Sequence, residues 1–169
     1  RMGRREALVL VSAAWIIGAA VTALPYLLWA YLGDGAPENH PFHSPVDCYF
    51  EAMSGLSTTG ATVLLDIESL PSALLFWRAL SQWLGGLGIL VLLVALLPDA
   101  GLAAKRMFRF EAPGPDSDNV RPTMRDAARR LWTMYLVLTG LQILCLLIAG
   151  MGLFDAFCHT FTTLATGGF

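Results

Sequence analysis

Two short segments built from threonine, glycine and alanine carry the chemistry this sequence offers. Thr58-Thr59-Gly60-Ala61 closes the stretch 47–61, and Ala165-Thr166-Gly167-Gly168 nearly closes the stretch 155–169. The two stretches align without a gap: Asp47 falls on Asp155, Leu56 on Leu164, Thr58 on Thr166 and Gly60 on Gly168. With side chains this small, the main-chain carbonyls are the available ligands. Glycine permits conformations that an L-residue resists, so consecutive carbonyls can aim at one axis. Carbonyls so arranged can take over the hydration shell of an ion. An external turn uses the same residue types. The duplication, with long apolar stretches beside each copy, favours loops that dip into a membrane, where irregular backbone must be buried or line a water-filled path.

The elements that would position these segments are short helices. Ser44-Pro45-Val46-Asp47 has the form of a helix start, with Ser44 as N-cap and Pro45 in the first turn. Asp47 and Glu51 then lie early, where negative charge offsets the helix dipole. The pattern predicts a pore helix at about 45–56 and a filter at 57–61. In the second copy Gly150-Met151-Gly152 loosens the preceding span, and Asp155 opens a pore helix at about 154–164, followed by a filter at 165–169. Helices this short do not cross a bilayer, which needs about 20 residues. Entering from outside, each would turn its partly negative carbonyl end toward a cation.

The chain is 56% hydrophobic and 14% charged, with a mean hydropathy of +0.59. Soluble domains average roughly 25% charged residues. Three stretches are long enough to span: 7–32, 72–97 and 131–152, of which only the second holds a charge, Arg78. The first is too long for a signal peptide and no small-residue cleavage site follows it, so it is a permanent span. Arg78 lies near the outer end of its stretch. It would snorkel to the interface or form a structural ion pair with Asp66, Glu68 or a carboxylate of another repeat.

The remaining basic residues sort by position. Arg1, Arg4 and Arg5 precede the first span; Lys105, Arg106, Arg109, Arg121, Arg125, Arg129 and Arg130 lie between the second and third. Residues 33–71 hold no Lys or Arg. The positive-inside rule puts residues 1–6 and the loop 98–130 in the cytoplasm and both Thr-Gly segments outside. That sorting accounts for the basic cluster without nucleic acid. His40 and His43 lack supporting ligands and are expected to be plain loop residues. Cys145 sits in a span as a small apolar residue. Cys48 and Cys158 both lie near the outer face, but at unmatched positions of the repeat, which argues against a bridge. No catalytic triad, phosphate loop or metal-ligand cluster stands out, so enzymatic chemistry is not expected.

The residues also carry a family resemblance. The run 50–62, with Leu75-Phe76-Trp77-Arg78 and Gln82-Trp83-Leu84-Gly85-Gly86-Leu87-Gly88, resembles the first pore repeat of the TrkH/TrkG potassium uptake subunits, in the Trk/Ktr/HKT superfamily. The runs 153–159 and 165–169 resemble the second, and Glu111-Ala112-Pro113-Gly114-Pro115 with Arg121-Pro122 resembles the loop between them. The resemblance implies an all-α integral membrane protein of potassium-channel-like span–pore helix–span repeats with re-entrant filter loops. On that scheme residues 7–97 form the first repeat and 131–169 an incomplete second, the chain being a fragment of a longer polypeptide. Four such repeats surround one pore. Thr58, Thr59, Gly60 and Ala61, with Ala165, Thr166, Gly167 and Gly168, would bind potassium, the only metal implied. A glycine rather than a serine at Gly60 favours potassium over sodium.

The implied function is potassium uptake across the bacterial inner membrane, with the N-terminus cytoplasmic and no cofactor in this chain. The implied partners are the lipid bilayer, a second copy in a homodimer and a cytoplasmic TrkA-type nucleotide-binding subunit. A sodium-permeable channel of the same superfamily and a non-transporting membrane scaffold are the alternatives.

Overall fold

The computed structural model describes residues 4–33, 36–96 and 124–169. Residues 1–3 and most of the loop expected at 98–130, with Glu111–Pro115, Lys105, Arg106, Arg109 and Arg121-Pro122, lie outside them. The described residues are helical, with no strand among them. Three long helices, α1 (Arg4–Leu32), α3 (Ser72–Leu96) and α4 (Met124–Ile148), frame two short ones, α2 (Pro45–Leu56) and α5 (Leu153–Leu164). A single 3-10 turn, Pro41–His43, precedes α2.

Local chemistry sets the ends of these helices. Ser44 caps α2: its Oγ accepts the Asp47 N–H at 3.3 Å, with Pro45 in the first turn. The α4 helix starts before the expected stretch 131–152 and ends four residues short of it, at Ile148. The stop is a Schellman motif. Gly150 takes a left-handed φ of 91°, its N–H donates to the Leu147 carbonyl at 3.0 Å, and the Met151 N–H donates to the Leu146 carbonyl at 3.0 Å. Without a Cβ, Gly150 adopts that φ freely.

The α2 helix packs between α1 and α3, and α5 packs against α3 and α4. Two apolar clusters result. Ala23, Tyr26 and Ala30 of α1 meet Phe42, Cys48, Ala52 and the α2–α3 connection at Leu64 and Leu70. Ala79, Trp83 and Leu87 of α3 meet Tyr135 and Phe161. Polar anchors fix the long helices: Trp77 Nε1 donates to the Thr22 carbonyl of α1 at 3.0 Å, and Trp83 Nε1 to Thr139 Oγ1 of α4 at 3.1 Å.

The outer surfaces of α1 and α4 are apolar. Val9, Ile16, Ile17 and Val21 of α1 are exposed, as are Val137, Leu141, Leu144 and Ile148 of α4. Residues Leu8–Leu32 and Ala128–Ile148 are long and apolar enough to cross a membrane by length and composition.

Candidate functional site

The C-termini of α2 and α5 deliver the two Thr-Gly segments, and they end alike. At α2 the Thr58 N–H donates to the Gly55 carbonyl at 3.0 Å and the Thr59 N–H to the Ser54 carbonyl at 3.0 Å. At α5 the Thr166 N–H donates to the Thr163 carbonyl at 2.9 Å and the Gly167 N–H to the Thr162 carbonyl at 3.2 Å. Both are Schellman ends, so the position after the cap must be left-handed, and glycine usually fills it. Here it is threonine: Thr58 has φ 57° and Thr166 has φ 61°. A β-branched residue in this region is an outlier, and the left-handed form costs an L-residue about 1–2 kcal/mol.

The handedness repeats two residues later, with φ 75° at Gly60 and 61° at Gly168, while Thr59, Ala61 and Gly167 are not left-handed. In both segments, then, positive φ falls on a Thr and on the Gly two residues on. Hydroxyl contacts add to the first loop, where Ser57 Oγ and Thr59 Oγ1 lie 2.8 Å apart.

The two segments lie side by side. A Cβ on Gly60 would overlap the Gly167 carbonyl, so only glycine permits this approach. Thr58, Thr166 and Ala165 share a cavity of 150 Å³ with Gly86, Ile89, Leu164 and Tyr135. Glycines of α3 bring that helix against both segments: a Cβ on Gly85 would overlap the Leu56 carbonyl, and Gly86 faces Ala165. Of the sequence-derived residues, Thr58, Thr166 and Ala165 thus line one cavity, and Gly60 and Gly167 meet. Ala61 and Gly168 are exposed.

Arg78 sits apart from these carbonyls, buried, and its partner differs from those expected. Among the described residues it pairs with Glu51 of α2, not with Asp66 or Glu68. Arg78 Nη2 and Nε donate to Glu51 Oε1 at 2.7 and 2.9 Å, and Glu51 is fully buried. Glu51 lies too deep to act only on a helix dipole. It also accepts the Thr62 hydroxyl at 2.9 Å and the Val63 N–H at 3.0 Å, from the chain leaving the first segment. The Arg78 guanidinium carbon lies 3.9 Å from the centroid of the Phe169 ring. One helical turn on, Gln82 Oε1 accepts the Phe169 N–H at 3.3 Å, and the Gln82 amide closes off the space beside Gly167. The sequence did offer a signal for the pair. Glu51 stands among small and apolar residues and Arg78 is the only charge in 72–97, so each lacked a solvated alternative, whereas Asp66 and Glu68 lie in a polar connection.

The remaining candidates are engaged locally. His40 Nδ1 accepts the Phe42 N–H at 3.1 Å, and His43 Nε2 lies 3.1 Å from the Pro37 carbonyl. Burial, with His43 close by, lowers the His40 pKa from its ordinary value. The Cys48 thiol donates to the Phe42 carbonyl at 3.2 Å, and all three cysteines are free thiols. Among the described residues no group of His, Cys, Asp or Glu could hold a metal ion.

Comparison with known proteins agrees with this architecture. The model of the TrkH family, described as cation transport protein, matches residues 4–169. The Trk system potassium uptake protein TrkH of Escherichia coli K12 is 43% identical over 166 residues, 98% of this chain and 32% of the relative. TrkG of the same organism is 39% identical over the same length, and TrkH of Halomonas elongata is 48% identical over 127 residues, 75% of this chain and 26% of the relative. The crystal structure of the potassium transporter TrkH from Vibrio parahaemolyticus superposes with a TM-score of 0.76 at 34% identity, covering 100% of this chain and 31% of that one. The chain spans about a third of the length of these relatives.

Proposed function

The chain belongs to the TrkH family of cation transport proteins, and on that footing we propose that it supplies two adjacent sides of a potassium-selective pore in a membrane uptake system. The observation that carries the proposal is the shared backbone of the two segments. Thr58 with Gly60, and Thr166 with Gly168, take the same left-handed conformations at the same positions after the same helix end. Carbonyls of 58–61 and 165–168 would replace potassium's water at low reorganisation cost, because the helix ends and the Gly60–Gly167 contact hold them in place. The partly negative C-terminal ends of α2 and α5 favour a cation there.

In this reading α1, α3 and α4 cross the membrane and α2 and α5 enter it from outside. The first repeat covers 7–97 and the second begins with α4. The exposed apolar faces of α1 and α4 support lipid contact, and the basic loop 98–130 supports a cytoplasmic position for that loop. We assign the protein to the inner membrane with its N-terminus in the cytoplasm. Further repeats would complete the pore. A second copy and a TrkA-type nucleotide-binding subunit are the proposed partners, since the relatives are named as parts of a Trk system. The two segments are not proposed to conduct without the rest of the pore.

The test is ion flux through the full-length protein in liposomes, with potassium and sodium compared. The wild type should pass potassium preferentially, and Gly60→Ser should lose most of that preference. Equal permeation of the two ions in the wild type would overturn potassium selectivity. Absence of flux for either ion would favour a scaffold.

A further inference from the structure

We propose that Arg78 is a positioning residue for ion selectivity, a single buried brace that holds the two filter segments in register with each other. The inference rests on the filter reading of 58–61 and 165–168, and it assigns a role that the carbonyls alone do not explain.

Arg78 reaches the residue that follows each segment, Thr62 and Phe169. Through Glu51 it holds the exit of the first, because the same carboxylate accepts Thr62 Oγ1 and the Val63 N–H. Arg78 Nη2 also lies 3.4 Å from Thr62 Oγ1. Its guanidinium carbon lies over the Phe169 ring, 3.9 Å from the centroid, at the exit of the second. Gln82, on the same face of α3, takes the Phe169 N–H and walls off Gly167. Four residues apart on a helix, Arg78 and Gln82 stand one above the other. One turn of α3 thus touches what leaves both filter segments, while Gly60 and Gly167 meet directly between them.

Stability does not explain the pair well. A buried ion pair roughly breaks even against apolar residues of the same size, and its best attested use is to fix one register against others. The chemistry is specific to arginine. The guanidinium can satisfy a carboxylate in its plane and a ring on its face at once, which an ammonium cannot. Glu51 also cancels the charge, so the brace adds no net positive field behind a path for cations.

The experiment measures the potassium-to-sodium permeability ratio of the full-length protein in liposomes, with melting temperature followed in parallel. Wild type and Gly60→Ser set the scale. Arg78→Lys keeps the charge and loses the planar contacts; Phe169→Leu removes the stack and leaves the Arg78–Glu51 pair; Phe169→Tyr keeps the ring. Arg78→Lys and Phe169→Leu should each lower the ratio by about tenfold, the double variant should be no lower than either, and Phe169→Tyr should retain the wild-type ratio. Melting temperatures should stay close to wild type for both Phe169 variants. If Arg78→Lys fails to fold, the two Phe169 variants still decide. An unchanged ratio in Phe169→Leu, with the ratio lost in Gly60→Ser, overturns the brace and leaves the filter reading intact. Losses that multiply in the double variant also overturn it. A wild type without ion preference overturns the filter reading itself, and the brace with it.

Discussion

Thr58 and Thr166 occupy positions where glycine is the relaxed choice. Strain at such a place is kept where function holds it. Thr58→Gly should therefore stabilise the end of α2 by about 1 kcal/mol, read as a higher melting temperature, and lower potassium flux in the same preparation. A parallel loss of stability would show that the hydroxyl, not the pore, keeps threonine there. Glu51→Gln leaves Arg78 as an unpaired buried cation, which costs about 3–5 kcal/mol. The expected readout is a steep drop in folded yield and, in what folds, weaker potassium flux. The pairing itself was only half legible. The sequence marks Arg78 as a charge needing a partner, but Glu51 sits 27 residues away, and periodicity says nothing about which helix faces which. The contact of Gln82 with Phe169 was hidden for the same reason, as it joins α3 to the chain that follows α5.

The ends of elements were more legible than their contacts. The Ser44-Pro45 start of α2 is a local signal, and Ser44 Oγ does accept the Asp47 N–H. Ser44→Ala should cost about 1 kcal/mol, measured by thermal unfolding. The α4 helix stops at Ile148, just before the Gly150-Met151-Gly152 run that marks the loosened end of the expected span, and Gly150 ends it by its backbone conformation. The α3 glycines work by contact. Gly85→Ala would push a methyl into the Leu56 carbonyl, and overpacking of this kind costs about 1–3 kcal/mol. The loss should appear as reduced stability, with α3 displaced from the end of α2.

The turn at Pro41–His43 adds a pH response. Its start depends on His40 Nδ1 accepting the Phe42 N–H, which requires that nitrogen to be unprotonated. The folded pKa is lowered, so the contribution is complete above the ordinary histidine value of about 6.5 and fades as pH falls through the lower, folded one. The protection of the Phe42 amide against exchange, relative to its intrinsic rate at each pH, should fall with acid in that window, and His40→Gln should weaken the pH dependence.

At the scale of the whole molecule, apolar residues are turned outward on α1 and α4 while charge is buried at Glu51 and Arg78. This arrangement is the reverse of a water-soluble domain and fits the proposed lipid contact of α1 and α4. Trp132 is 40% exposed on α4. In a single-tryptophan version of the full-length protein, its fluorescence should be quenched by brominated lipids, and an unquenched signal would argue against α4 facing the bilayer. Composition alone pointed to the membrane class that the family match supports. The placement of α2 and α5 against α3 was not, since it depends on which small residues let two backbones touch, and glycine carries the same letter whether it is crowded or free.

The brace at Arg78 bears on ancestry. The gapless alignment of the two stretches puts His159 opposite Glu51, and His159 is exposed whereas Glu51 is buried. The stretch 155–169 therefore places no carboxylate at the position of Glu51. A channel of four identical subunits must carry every residue four times, in a ring where all quarters are equivalent. Once repeats are fused in one polypeptide, each quarter can drift. One can keep the scaffolding charge while its neighbour discards it. If the proposed brace holds, residues 45–97 would be the side that holds and residues 153–169 the side that is held.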